Sequence, residues 1–265
     1  MEQRAWSRGL KNGKGFFITG TDTGVGKTVI TAALIKAIGL LGLKVCGMKP
    51  LETGCLKSEF KAFDPSSGRG FQSSKFKVQD TLLPYDGIFL KKISNVNDSL
   101  DLITPIRFAN PLAPLPASEI EEISVDFQKI QKAYTELSKK YDVIIVEGIG
   151  GLLVPITRDY SVLDLAKDFG LPLIIVSRPG LGTINHTMLT VNCAIKEGLN
   201  VAGIIINYSH PPEGTLAEDT NPEIIRQISP VPIIGIFPRL EDFENSTLER
   251  AAVKHLDLET LKKFL

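Results

Sequence analysis

A chain of 265 residues, 43% of them apolar, is long enough to bury a full core, and one α/β domain is ordinary at that length. Thirty basic residues balance thirty acidic ones, which excludes the global field of a nucleic-acid or anionic-membrane binder. Three scattered cysteines, Cys46, Cys55 and Cys193, form no CxxC pair, so zinc and redox motifs are excluded and a reducing, cytoplasmic setting is expected.

Residues 1–14 carry basic side chains without an apolar centre and read as a flexible lead-in, not a secretory signal. No run approaches the roughly eighteen apolar residues of a membrane span, so a soluble domain over residues 15–265 is expected. Phe16 to Ile18 reads as a strand. It feeds the loop Gly20-Thr21-Asp22-Thr23-Gly24-Val25-Gly26-Lys27-Thr28, and Val29, Ile30, Ala33, Leu34, Ala37 and Ile38 then recur at helical spacing. Strand, glycine-rich loop and helix together make a phosphate cradle: backbone N–H groups converge on an anion at a helix N-terminus, Lys27 adds a point charge, and the Thr28 hydroxyl suits Mg²⁺. The spacing departs from the common pattern, because Gly20 and Gly26 enclose five residues instead of four.

Leu43 to Met48 reads as a second strand that ends in Lys49-Pro50-Leu51-Glu52-Thr53-Gly54. Residues just past a strand's carboxyl end face the ligand crevice of an open α/β sheet, so Lys49 and Thr53 are site candidates. The Ser-, Gly- and Lys-rich stretch 55–77 has no periodicity and reads as a surface excursion. Asp80 follows it. Four prolines in 103–116 predict extended chain and turns, after which Ser118 and Glu121 have capping-box spacing.

Residues 125–140 have helical spacing, and 141–146 read as a fully buried strand ending in Glu147-Gly148-Ile149-Gly150-Gly151. An acid at that strand end is placed to hold a metal ion, directly or through water, with the glycines leaving room for substrate. Helix 161–169, strand 171–176, helix 183–196, strand 201–206 ending at Asn207, a short helix 224–228, strand 231–236 and helix 258–264 complete the chain. Alternating strands and helices predict a mostly parallel sheet flanked by helices, a single-domain phosphate-loop NTPase-like fold.

With these motifs in order, GTDTGVGKT at 20–28, KPLETG at 49–54, VEGIGG at 146–151, GTINHTMLT at 182–190 and the strand ending at Asn207, the chain resembles the dethiobiotin synthetases, ATP-dependent ring-closing ligases of biotin synthesis. The five-residue loop spacing is similar to that family's own form. The resemblance implies that Thr23, Lys27 and Lys49 serve catalysis, and that Gly24, Val25, Gly26, Lys27, Thr28 and Val29 hold ATP, with Asn207 reading adenine. Gly24 stands where other members carry Glu. It also implies Mg²⁺ on Thr28, Asp80 and Glu147. Because the preceding excursion is longer than the family's usual connection, Asp64 and Asp86 stay open as alternatives to Asp80.

Thr53, Gly148 and Gly151 are then expected beside the substrate. Gly182, Thr183, Ile184 and Asn185 would receive its carboxylate across a homodimer interface. The implied reaction takes 7,8-diaminononanoate, CO2 and ATP through a carbamate and a carbamic-phosphoric anhydride to dethiobiotin, ADP and phosphate. A switch ATPase of the partition or septum-positioning kind would carry a further lysine five residues before Lys27, where this chain has Asp22. A cobyrinate-type amidating ligase would need a glutaminase domain in addition. A nucleotide-binding regulator would leave Lys49 and the 182–185 turn without an anion to hold.

Overall fold

The computed structural model describes residues 13–57 and 82–265. Strand β1 (Gly15–Gly20) leads through the phosphate loop into α1 (Lys27–Gly39). Then come β2 (Val45–Met48), the short strands β3 (Leu51–Glu52), β4 (Leu56–Lys57) and β5 (Leu82–Leu83), helices α2 (Tyr85–Ser94) and α3 (Leu100–Ile103), and β6 (Ile106–Arg107). The chain continues through α4 (Pro114–Glu121), α5 (Phe127–Ser138), β7 (Val143–Glu147), the β8 (Pro155–Thr157) and β9 (Tyr160–Ser161) pair, and α6 (Val162–Phe169). It closes with β10 (Leu173–Ser177), α7 (Thr183–Lys196), β11 (Val201–Asn207), α8 (Leu216–Ile228), β12 (Ile233–Phe237), α9 (Asn245–His255) and α10 (Leu258–Lys262).

Six strands form one sheet in the order β12-β11-β10-β1-β7-β2, every neighbouring pair parallel, as the alternation of strands and helices predicted. Side chains alternate across a strand, so β1 serves both faces. Phe16 and Ile18 pack with Ile30, Leu34 and Ile38 of α1, while Phe17 turns to the opposite layer of α5 and α6. Both faces are covered, which is why these strands read as continuous apolar runs. Because β1 lies between β7 and β10, the loops that leave those three strands share one edge of the sheet, where a parallel α/β fold places its ligand.

Phe169 anchors the α5–α6 layer. Its ring lies 5.8 Å from Phe17 and 5.0 Å, edge-on, from Tyr134. Phe169→Ala is expected to destabilise the domain by about 3–5 kcal/mol through lost burial and the cavity left behind, measured by urea unfolding.

Two local expectations are corrected. Ser118 is not a cap but lies inside α4, where its hydroxyl donates to Leu115 O at 2.7 Å. Glu121 instead accepts from the backbone N–H groups of Ala109 and Asn110 at 3.0 and 2.7 Å. Pro114 starts this helix because the first-turn N–H it lacks would have had no intrahelical partner. The short helix expected at 224–228 is the end of α8, which starts eight residues earlier behind a Thr215–Glu218 capping box. Pro222 does not break it: the Glu218 carbonyl that loses its amide partner accepts the Tyr208 hydroxyl at 3.5 Å. Asp80 and residues 58–77 of the expected excursion lie outside the described residues. Among the described residues no helix is long and apolar enough to cross a membrane.

Candidate active site

Gly24 and Gly26 adopt left-handed backbone conformations, φ 78° and 87°, and Gly26 forms the N-cap of α1. A Cβ at Gly26 would stand 2.1 Å from Asn207 Nδ2, so a larger residue there would displace the Asn207 side chain. The buried Asn207 side chain donates to Val25 O at 2.8 Å and ties the end of β11 to the phosphate loop.

The loop opens into a cleft of about 780 Å³ lined by Thr23, Gly24, Gly26, Lys27, Thr28 and Val29 on one side, and on the other by Lys49, Glu52, Thr53, Asp86, Glu147 and Gly150. Lys27 Nζ donates to Asp22 O at 3.0 Å. Burial, reinforced by the charge of Lys49, pushes its ammonium down to about 8. Lys49 Nζ has three acceptors, Glu147 Oε1 at 2.5 Å, Asp86 Oδ2 at 3.1 Å and Gly148 O at 3.3 Å. Burial alone would lower this ammonium, but the surrounding carboxylates of Glu147, Asp86 and Glu52 outweigh it and hold Lys49 above the ordinary lysine value.

Thr28 Oγ1 donates to Glu147 Oε1 at 2.8 Å, and Glu147 Oε2 is buried with no hydrogen-bond partner among the described residues. A hydroxyl, an orphaned carboxylate oxygen and the Asp86 carboxylate across Lys49 are hard oxygen donors, the type Mg²⁺ takes when substrate phosphates and water complete its shell. No cluster of three His, Cys, Asp or Glu side chains that could hold a metal occurs among the described residues. The residues fit a cation that is shared with a phosphate, and do not form an all-protein cage.

Gly148 does not line the cleft but accepts from Lys49 Nζ through its carbonyl at 3.3 Å. Gly151 sits against the end of β1, where a Cβ would come within 3.1 Å of Gly20 O. Gly182, Thr183, Ile184 and Asn185 cap and begin α7 at the carboxyl end of β10, with Gly182 at φ 90°, but none of them lines the cleft. The sequence reading passed over Glu52 and Arg178. Glu52 stands inside KPLETG, between two residues already singled out, and Arg178 Nη2 lies 3.7 Å from Asp22 Oδ2 beside the loop.

A family model described as an AAA domain matches residues 14–247. The chain is 45% identical over 254 residues to an ATP-dependent dethiobiotin synthetase of Thermodesulfovibrio yellowstonii, covering 93% of this chain and 98% of that protein. It is 40% identical over 232 residues to the enzyme of that name from Methanocaldococcus jannaschii, covering 86% and 95%. Among solved structures, a putative plasmid partition protein of Borrelia burgdorferi bound to AMPPNP aligns with a TM-score of 0.50 at 18% identity, over 96% of this chain and 99% of that one. The MinC:MinD cell division complex of Aquifex aeolicus aligns with a TM-score of 0.50 at 16% identity, over 94% of each chain. Those two share the phosphate-loop fold; the identity to the synthetases, sustained over nearly the full length of both chains, shows more. The chain belongs to the ATP-dependent dethiobiotin synthetase family.

Proposed function

We propose that this chain closes the ureido ring of dethiobiotin from 7,8-diaminononanoate, CO2 and ATP. The observation that carries the reading is the buried Lys49, held by Glu147, Asp86 and the Gly148 carbonyl in the cleft that also holds Lys27. A phosphate loop alone needs one lysine for its phosphates. A second cation in the same cleft suits a reaction in which two anions must meet.

In that reaction one substrate amine adds to CO2 and loses a proton, giving a carbamate. A carbamate oxygen attacks the γ-phosphorus, and ADP leaves with the electron pair of the broken P–O bond. The second amine then attacks the carbamate carbon and phosphate departs. Lys27 and the amides of Gly24 to Val29 hold the phosphates, Lys49 offsets the carbamate charge, and Thr53 and the glycines after Glu147 border the acceptor. No protein nucleophile is required, because the substrate brings both amines and the site supplies orientation.

Thr28, Glu147 and Asp86 would hold Mg²⁺, which when bound neutralises charge on the β- and γ-phosphates. Of the three aspartates the sequence left open, Asp86 is the one taken into this set because its Oδ2 stands 3.1 Å from Lys49 Nζ, while Asp64 and Asp80 lie outside the described residues.

The carboxylate end of the substrate needs its own anchor, and the 182–185 turn lies outside the cleft of its own subunit. Leu181 is 89% exposed and Leu189 61%, apolar surface on both sides of that turn. A homodimer that sets the turn of one subunit at the cleft of the other accounts for both features. Sedimentation is expected to show a dimer, and a fully active monomer would contradict the shared site. The reading as a whole is tested by ADP release with bicarbonate or diaminononanoate left out in turn. Release should require both, whereas hydrolysis independent of the diamine would favour a switch ATPase.

A further inference from the structure

Helix α2 begins without a cap of its own. Its N-cap residue is Pro84, whose side chain has no acceptor for the first-turn amides. Those amides are met from elsewhere in the chain: Glu52 Oε1 accepts from Asp86 N at 3.0 Å and Glu52 Oε2 from Gly87 N at 2.9 Å. Glu52 is buried on β3, and its carboxylate also suits the positive end of the helix. The residue paired with it on β6, Arg107, reaches the other end of the same segment through Nη1, which donates to Leu82 O at 3.4 Å, while its Nη2 donates to Asp101 Oδ1 of α3 at 2.8 Å. Gly87 closes the arrangement from behind, where a Cβ would meet Thr104 Oγ1 at 2.0 Å. The chain from Leu82 to Gly87 is thus clamped at both ends by one short strand pair, and Asp86 is the residue it presents to Lys49.

We propose that Glu52 is a positioning residue for the cation site: by capping α2 it sets the backbone of Asp86 so that the Asp86 carboxylate stands opposite Thr28 and Glu147. The inference rests on the reading of Thr28, Asp86 and Glu147 as the oxygen donors for Mg²⁺. It assigns to Glu52 no contact with substrate. A charge bordering the cleft with no such function would not need both of its oxygens committed to backbone amides on another element.

The test is Mn²⁺ binding to the protein–ADP complex, followed by electron paramagnetic resonance, with metal-free ADP affinity measured alongside. Glu52→Ala is expected to weaken Mn²⁺ binding about 10- to 100-fold, the usual effect of losing a group that orients a ligand, with metal-free ADP affinity within about twofold of the parent. Asp86→Ala should weaken Mn²⁺ binding by at least as much, and the double variant should be no weaker than Asp86→Ala alone, because Glu52 acts through Asp86. Unchanged Mn²⁺ affinity in Glu52→Ala, or losses that add fully in the double variant, would overturn the proposal.

If Glu52→Ala does not fold, Glu52→Gln decides. One of the two acceptor oxygens is replaced by a donor NH2 facing a backbone N–H, so an intermediate loss of Mn²⁺ affinity is expected, and parental affinity would refute the role. None of these measurements uses the diamine. A failure of the ring-closing reading would appear in ADP release while Mn²⁺ binding still reports on Glu52.

Discussion

Lys49→Ala is expected to lower turnover about 10²- to 10³-fold while ADP binds with near-parental affinity. Lys49 is the buried cation paired directly with the Glu147 and Asp86 carboxylates. Burial and the neighbouring Asp86 push the Glu52 carboxyl up to about 7, so Asp86 and Glu147 are the charges that matter most, and removing Lys49 leaves Lys27 as the lysine in the cleft to offset them. In the proposed reading ADP is held by the loop on the other side, so its affinity should not follow. The loss should appear in kcat, because the carbamate and the γ-phosphate approach each other only as the reaction proceeds. Steady-state ADP release and a fluorescent-ADP titration separate the two effects. Turnover near that of the parent would remove Lys49 from the chemistry.

Gly26→Ala is expected to weaken ADP binding at least 100-fold without unfolding the domain. Two costs act together there. A left-handed residue with a Cβ costs about 1–2 kcal/mol, and the new methyl would stand 2.1 Å from Asn207 Nδ2. The Asn207 side chain must then leave Val25 O, so the loop loses its link to β11 as well as its own conformation. A hundredfold change corresponds to about 2.7–2.8 kcal/mol, within reach of strain and a lost buried hydrogen bond combined. Calorimetric titration with ADP, paired with thermal unfolding, checks it. Parental affinity in the folded variant would show that the loop tolerates a different backbone path.

The strands of the main sheet were legible because they are buried on both faces. Runs such as Phe16 to Ile18 and Val143 to Val146 carry no solvent-facing position to interrupt them. Helix α7, with its apolar spacing from Thr183 to Lys196, was found at the predicted bounds. The sequence suggests a helix only over 224–228, whereas α8 starts at Leu216 and runs through Pro222, with the Tyr208 hydroxyl, distant in sequence, meeting the freed Glu218 carbonyl. At Ser118 the capping-box spacing was right, but Pro114 had already begun the helix.

At the site, the residues on strand ends could be read because topology brings strand ends together. Lys27 and Lys49 follow β1 and β2, and Glu147 ends β7, three neighbouring strands on one side of the sheet. Asp86 could not be singled out that way. It sits on α2 behind a long connection without periodicity, and its amide donates to Glu52, thirty-four residues away. Local pattern does not encode such a contact. A glutamate next to an already suspected lysine and threonine was the one hint available.

The central claim, that a carbamate oxygen attacks the γ-phosphate of ATP in the cleft between Lys27 and Lys49, is tested most directly by isotope transfer. With ¹⁸O-labelled CO2, diaminononanoate and ATP, each phosphate released should carry one oxygen from CO2, alongside an equal amount of dethiobiotin with the label in its ureido carbonyl. Phosphate that carries no label from CO2, released at the same rate, would mean that water and not a carbamate attacks ATP, and would contradict the account.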